Sequence, residues 1–154
     1  MRPIRATPSS DGPSARRVVF GTLNLRTGHR LFLVRPRHRG TDCRLFLQTI
    51  HRHYRGWQVV ILLDAHSTHT AGASQHLAAA LGIELLWLPK RCPEFNPLES
   101  LWRGGKQTIC ANRQYPTIEE TVERFLVYFY SLSPQEMRWK AGLLSHHYWL
   151  NSVV

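Results

Sequence analysis

A chain of 154 residues, 43% of them apolar, has room for one compact domain with an ordinary core, and 20 Lys and Arg against 10 Asp and Glu leave it at +10 near neutrality. The resulting pI near 10.4 points to polyanions as partners, DNA or RNA before acidic membranes. No apolar stretch approaches the roughly 18 residues of a spanning helix, residues 1–17 lack the apolar core of a signal peptide, and Cys43, Cys92 and Cys110 share no C-x-x-C spacing, which favours reduced thiols in a cytoplasmic protein over a disulfide framework.

Residues 1–16 hold three Pro, three Ser and a Gly and read as an irregular lead-in. Two β-rich runs follow, Arg17 to Leu25 and Arg30 to Arg35. The intervening Arg26-Thr27-Gly28-His29 makes them an antiparallel hairpin. Leu45, Phe46, Ile50 and Tyr54 recur at helical spacing within 42–55. The consecutive apolar positions of 57–63 predict an interior strand covered on both faces. Gly72 to Leu81 is an Ala- and Leu-rich helix ended by Gly82, and Ile83 to Leu88 is a strand stopped by Pro89. Asn96 can cap a helix whose first position is Pro97. A last amphipathic helix is expected from near Thr117 to before Pro134, with Ile118, Val122, Phe125, Leu126 and Phe129 on its apolar side. The order is β-β-α-β-α-β-α-α, without internal repeats.

Two acids stand out against this frame. Asp64 closes the run Val59-Val60-Ile61-Leu62-Leu63, at the carboxyl end of a strand, where α/β sheets place ligand-binding groups. Glu99, after 34 intervening residues, falls in the first turn of the helix that Pro97 opens. Each has a structural reading beside the chemical one: Asp64 as a turn former, Glu99 as the acid of a capping box with Asn96. Leu98, Leu101, Trp102, Gly105 and Ile109 form one apolar stripe, and Glu99 and Lys106 project nearly in line along its edge, with Arg103 slightly farther round. A carboxylate for a metal beside cations for a phosphate suits polynucleotide chemistry.

Zinc offers a competing reading. Asp64-x-His66-x-x-His69, with His146-His147 as further candidates, could serve a hydrolytic centre, and Cys43, His51 and His53 could form a separate zinc site. Both signals are thin, because a second Cys or a clear second His-bearing segment is missing. Neither a nucleophile elbow around Ser67 nor a Gly-rich phosphate loop is present.

Leu62-Leu63-Asp64-Ala65-His66-Ser67-Thr68-His69, Gly82-Ile83-Glu84-Leu85-Leu86-Trp87-Leu88-Pro89 and Pro93-Glu94-Phe95-Asn96-Pro97-Leu98-Glu99-Ser100-Leu101-Trp102 together resemble the C-terminal part of the DDE transposases of bacterial insertion sequences related to mariner elements. The resemblance runs from about Arg17 to Tyr130. It implies an α/β, ribonuclease-H-like mixed sheet flanked by helices, in which three carboxylates bind two Mg2+ ions, with Mn2+ as a substitute, for in-line phosphoryl transfer. Asp64 matches the second carboxylate and Glu99 the third. His69 matches a His that commonly follows the second acid, and Trp102 and Lys106 match a Trp and a Lys after the Glu. Ala65 stands where the family usually has Asn.

The family carries its first carboxylate on a central strand upstream of the hairpin. Upstream of the hairpin the sole acid is Asp11, in a turn-like Ser9-Ser10-Asp11-Gly12-Pro13, while Asp42 follows the hairpin and is expected to cap a helix. The expected organisation is therefore an irregular lead-in at 1–16, a truncated ribonuclease-H-like domain lacking its first, central strand at 17–133, and a partly helical tail at 134–154. The function implied is that of the C-terminal segment of a transposase catalytic domain, for metal-dependent DNA cleavage and strand transfer, incomplete alone for want of the first Asp. Such a chain would arise as the second frame of a frameshifted element or as a remnant. It would act on DNA in the bacterial nucleoid, as a homodimer or with a complementing N-terminal transposase chain. The alternative is a catalytically inactive fragment that holds DNA or a transposase partner.

Overall fold

The computed structural model describes residues 4–5, 16–66 and 71–152. Its elements are β1 (Ile4–Arg5), β2 (Arg16–Leu23), β3 (Arg30–Arg35), α1 (Gly40–His53), β4 (Val59–Leu63), α2 (Gly72–Ala80), β5 (Ile83–Trp87), α3 (Pro97–Cys110), α4 (Ile118–Ser131) and α5 (Pro134–Lys140). Short 3-10 turns lie at Pro93–Phe95 and Trp149–Ser152. The chain divides into two compact units, one of Met1–Pro36 with Pro97–Val154 and one of Arg37–Asn96.

The first unit is built on the expected hairpin. β2 and β3 pair antiparallel from Val18↔Arg35 to Leu23↔Arg30. At its turn the Asn24 side chain accepts the Arg26 and Thr27 backbone N–H groups, both at 3.0 Å. Gly28 adopts φ +78°, and a Cβ there would lie 2.1 Å from the Pro134 carbonyl oxygen, so both conformation and space require glycine. One departure concerns the lead-in: β1, two residues long, pairs antiparallel with β2 as Ile4↔Arg17 and Arg5↔Arg16. The reading of 1–16 as strandless is corrected to that extent. Two residues carry too little periodicity to be seen in a sequence, and long-range pairing alone defines them.

Helices α3, α4 and α5 bury their apolar sides in one cluster with Val19 of β2: Leu101 and Trp102, then Ile118, Val122, Phe125 and Phe129, then Met137, with Ala141 and Leu143 beyond. Trp102 stacks on Phe125 at 5.3 Å between ring centroids, and its six-membered ring lies 2.8 Å from where a Cβ of Gly21 would stand. That close approach needs glycine in the middle of β2. Thr117 caps α4 by accepting the Glu120 N–H at 3.1 Å. At the other end of α4, the Arg30 guanidinium bonds the Tyr130 and Leu132 carbonyl oxygens. Residues 134–140 form a helix with a capping box between Ser133 and Glu136, and fully buried Met137 ties it to the cluster.

In the second unit β4 and β5 pair in parallel from Val59↔Ile83 to Leu63↔Trp87. Val59, Ile61, Ile83 and Leu85 pack with Leu47 of α1 and with Leu77 and Ala78 of α2. The opposite face differs from expectation, because Val60 is 48% exposed and Leu86 is exposed too. A run of consecutive apolar residues makes both faces fit for burial, but local sequence carries no information on whether a second layer arrives. Asp42 also departs from its expected role. The cap position is Arg39, and buried Asp42, at the third helical residue, turns its carboxylate back to accept the Arg39 N–H at 3.2 Å. It neutralises the same end of the helix from inside the first turn.

Candidate metal and nucleic-acid site

Asp64 follows directly on β4 and is half-buried. The two parallel strands end in register there: Leu63 pairs with Trp87, and the Leu63 carbonyl accepts the Leu88 N–H at 2.8 Å. Asp64 thus stands at the carboxyl edge of the β4–β5 pair, the side on which side chains leave a parallel sheet toward ligand. Its carbonyl accepts the His66 N–H at 2.9 Å and closes a tight turn. This turn brings the His66 ring edge-on to His38, 4.2 Å between centroids. Pattern reading does not find His38, which lies in the loop before α1 and meets His66 through the fold alone. His69 lies outside the described residues, as does Asp11.

Glu99 sits in the first turn of α3. Pro97 occupies the first helical position, and Asn96 before it has the extended backbone (φ −92°, ψ 111°) that a helix start requires. The stripe expected from sequence is present. Leu101, Trp102 and Gly105 are buried, while Glu99 and Lys106 are half-buried at its edge and Arg103 is exposed. Trp102 is held by Phe125 and Phe129, so the helix cannot rotate about its axis without dismantling the aromatic cluster. The aromatic packing therefore sets the face on which Glu99, Arg103 and Lys106 appear. Asp64 belongs to the second unit, Glu99 to the first.

Among the described residues no three His, Cys, Asp or Glu side chains gather as a metal cluster. Cys43 is buried on α1, where burial pushes its thiol above the ordinary range despite a hydrogen bond with Ser74. His53, by contrast, is exposed against the Tyr54 ring at 4.9 Å. A buried thiol and an exposed imidazole do not converge on one zinc ion. Asp64 and Glu99 offer carboxylate oxygens, the hard donors that Mg2+ and Mn2+ prefer over thiolate or imidazole.

A family model described as a DDE superfamily endonuclease matches residues 3–122, a span that contains both acids and the strand end and helix turn that carry them. The chain belongs to that family. Its family is that of the DDE superfamily endonucleases, and no helix among its described residues is long and apolar enough to cross a membrane.

Among solved structures, the Mos1 transposase catalytic domain with raltegravir and Mg superposes on this chain with a TM-score of 0.72 at 14% identity, covering 96% of this chain and 77% of the other. The catalytic domain of Mos1 mariner transposase gives a TM-score of 0.66 at 15% identity, covering 84% and 68%. Identity at this level speaks for the fold, which is the ribonuclease-H-like α/β arrangement of transposase catalytic domains. No curated protein matches the chain.

Proposed function

We propose that this DDE endonuclease cleaves DNA and transfers the strand during transposition, with Asp64 and Glu99 as two acids of a three-carboxylate site for Mg2+ or Mn2+. The observation that carries the reading is that the family match spans both acids, one at the carboxyl edge of a parallel strand pair and one on the first turn of a helix. Held by the Asp64 and Glu99 carboxylates, the cations would lower the pKa of an attacking water or DNA 3′-hydroxyl and shield charge on the phosphoryl oxygens. Lys106 and Arg103, on the edge that carries Glu99, hold the phosphate backbone, and His69 is assigned to the same DNA contact. The +10 charge draws DNA to the chain before any chemistry begins. The element is an insertion sequence of mariner type, and the chain works with a second copy or with a complementing transposase chain.

The test combines Mn2+ titration calorimetry with Mg2+-dependent nicking and strand transfer on element-end DNA. Asp64→Asn and Glu99→Gln are each expected to lower activity by at least about a hundredfold, since even outer partners of metal ligands cost about 10- to 100-fold. Each should also weaken Mn2+ binding while leaving DNA affinity within about twofold, because removing an acid takes no cation from the DNA face. Full activity in either variant sinks the assignment. DNA binding with neither Mn2+ binding nor cleavage in the wild-type chain would favour the inactive DNA-holding fragment.

A further inference from the structure

Beside α3 lies a groove of about 540 Å³ bounded by α4 and α5, and it falls within the size range of small-ligand pockets. Gly104 and Gly105 form part of its floor. A Cβ at Gly104 would meet nothing within 4 Å, so the groove is open along that stretch of helix. Ser100 and Gln107 add a hydroxyl and an amide to its wall, and the Thr108 hydroxyl donates to the Gly104 carbonyl at 2.9 Å. At the mouth stands Trp139, 67% exposed, with the Lys140 ammonium 5.7 Å from its ring centroid. Among the described residues no acidic side chain lines this groove.

An indole left in solvent beside a cation, over a cleft with mixed donors and acceptors, has the composition of a stacking platform for a nucleobase. An acidic peptide would use the Lys but leave the amide and hydroxyl wall without purpose. A base uses the ring face, the hydrogen-bonding edge and, through its phosphate, the ammonium. The groove also adjoins the edge assigned to DNA. At about 100° per residue Arg103 lies only about 60° round α3 from Ser100, so a strand with a phosphate at Arg103 runs alongside the cleft. Trp139 and Lys140 lie beyond residues 3–122, outside the span that matches the family.

We propose that this groove receives an unpaired base from the DNA on which the catalytic domain acts, stacked on Trp139 with its phosphate at Lys140. The inference rests on the DNA-processing function proposed above. It is tested by fluorescence anisotropy with the full chain and two labelled duplexes of equal length, one fully paired and one with a single unpaired nucleotide. The wild-type chain is expected to bind the second duplex more tightly. Trp139→Ala should cost that duplex about 5- to 150-fold in affinity and the paired duplex less than about twofold, whereas Trp139→Phe should retain most of the preference. Gly104→Leu, which fills open space on a helix with a good helix former, should reproduce the loss without altering the indole. Circular dichroism should show all three variants folded, since Trp139 is exposed and Gly104 uncrowded. Equal binding of the two duplexes by the wild type overturns the inference, and so does an equal effect of Trp139→Ala on both. Either outcome leaves the catalytic reading standing, because that reading falls on metal binding and cleavage instead.

Discussion

Gly104 and Gly105 are neighbours in α3, yet the structure predicts opposite consequences for the same substitution. Alanine gains about 0.5–1 kcal/mol over glycine in a helix interior, and both positions receive that gain. At Gly104 nothing else changes, because the added methyl meets nothing within 4 Å. At Gly105 the methyl would stand 2.6 Å from Cε2 and Cζ of Phe129 and 3.0 Å from Cε2 of Phe125. Both rings are 1% exposed and lock against each other edge-to-face at 4.7 Å, so neither can swing aside. Overpacking of this kind costs about 1–3 kcal/mol. The helix gain cancels between the two variants, and their difference reads the crowding alone. Gly104→Ala should raise the melting temperature by about 1–4 °C, and Gly105→Ala should melt about 2–12 °C below Gly104→Ala, given about 2–4 °C per kcal/mol for chains of this size. Thermal melts followed by far-UV circular dichroism, checked by urea unfolding, measure the gap. Equal shifts in the two variants would refute the packing of α3 on α4, and with it the argument that aromatic contacts fix the face on which Glu99 stands.

The remaining predictions concern the helices around that cluster. Thr117→Ala removes the hydroxyl that accepts the Glu120 N–H and should cost about 1 kcal/mol in urea unfolding, whereas Thr117→Ser should recover most of it. Glu136 titrates below the ordinary carboxylate range, first because the Ser133 backbone N–H bonds its carboxylate and then because of the Ser133 hydroxyl. The folded state thus favours the ionised form. The stabilisation is complete above the ordinary carboxylate range and is lost as pH falls through the lowered folded value. Wild type should therefore melt above Glu136→Gln near neutrality, and the two curves should converge in acid. A gap that persists or widens at low pH would contradict the capping role.

Much of the fold was legible because the signals are local. Thr117 before an amphipathic stretch, Asn96-Pro97 before the stripe of α3, and Gly82 after α2 place helix ends through the backbone preferences and bonds of near neighbours. The hairpin turn is similarly self-contained, with Asn24, Thr27 and Gly28 satisfying one another. The candidate site was legible for a different reason. Asp64 and Glu99 each sit at an element boundary, and boundaries are what punctuation by Gly, Pro and capping residues encodes.

What the tertiary structure decided depends on partners distant in sequence. Local sequence was enough to show that residues 59–63 form an apolar strand, that Glu99 falls in the first turn of a helix, and that the chain is strongly basic. It did not determine that Val60 stays exposed, that β1 pairs across from Arg16 and Arg17, or that His38 meets His66. Helical spacing put Gly105 on the buried stripe and left Gly104 off it, but how near Phe129 comes to Gly105 was decided by the packing of another helix. Periodicity reports which side of an element can be buried, since that depends on the spacing of residues along one backbone. Whether a neighbour arrives, and how near it comes, follows from close packing of the whole chain, in which each contact is fixed jointly by segments that are remote in sequence.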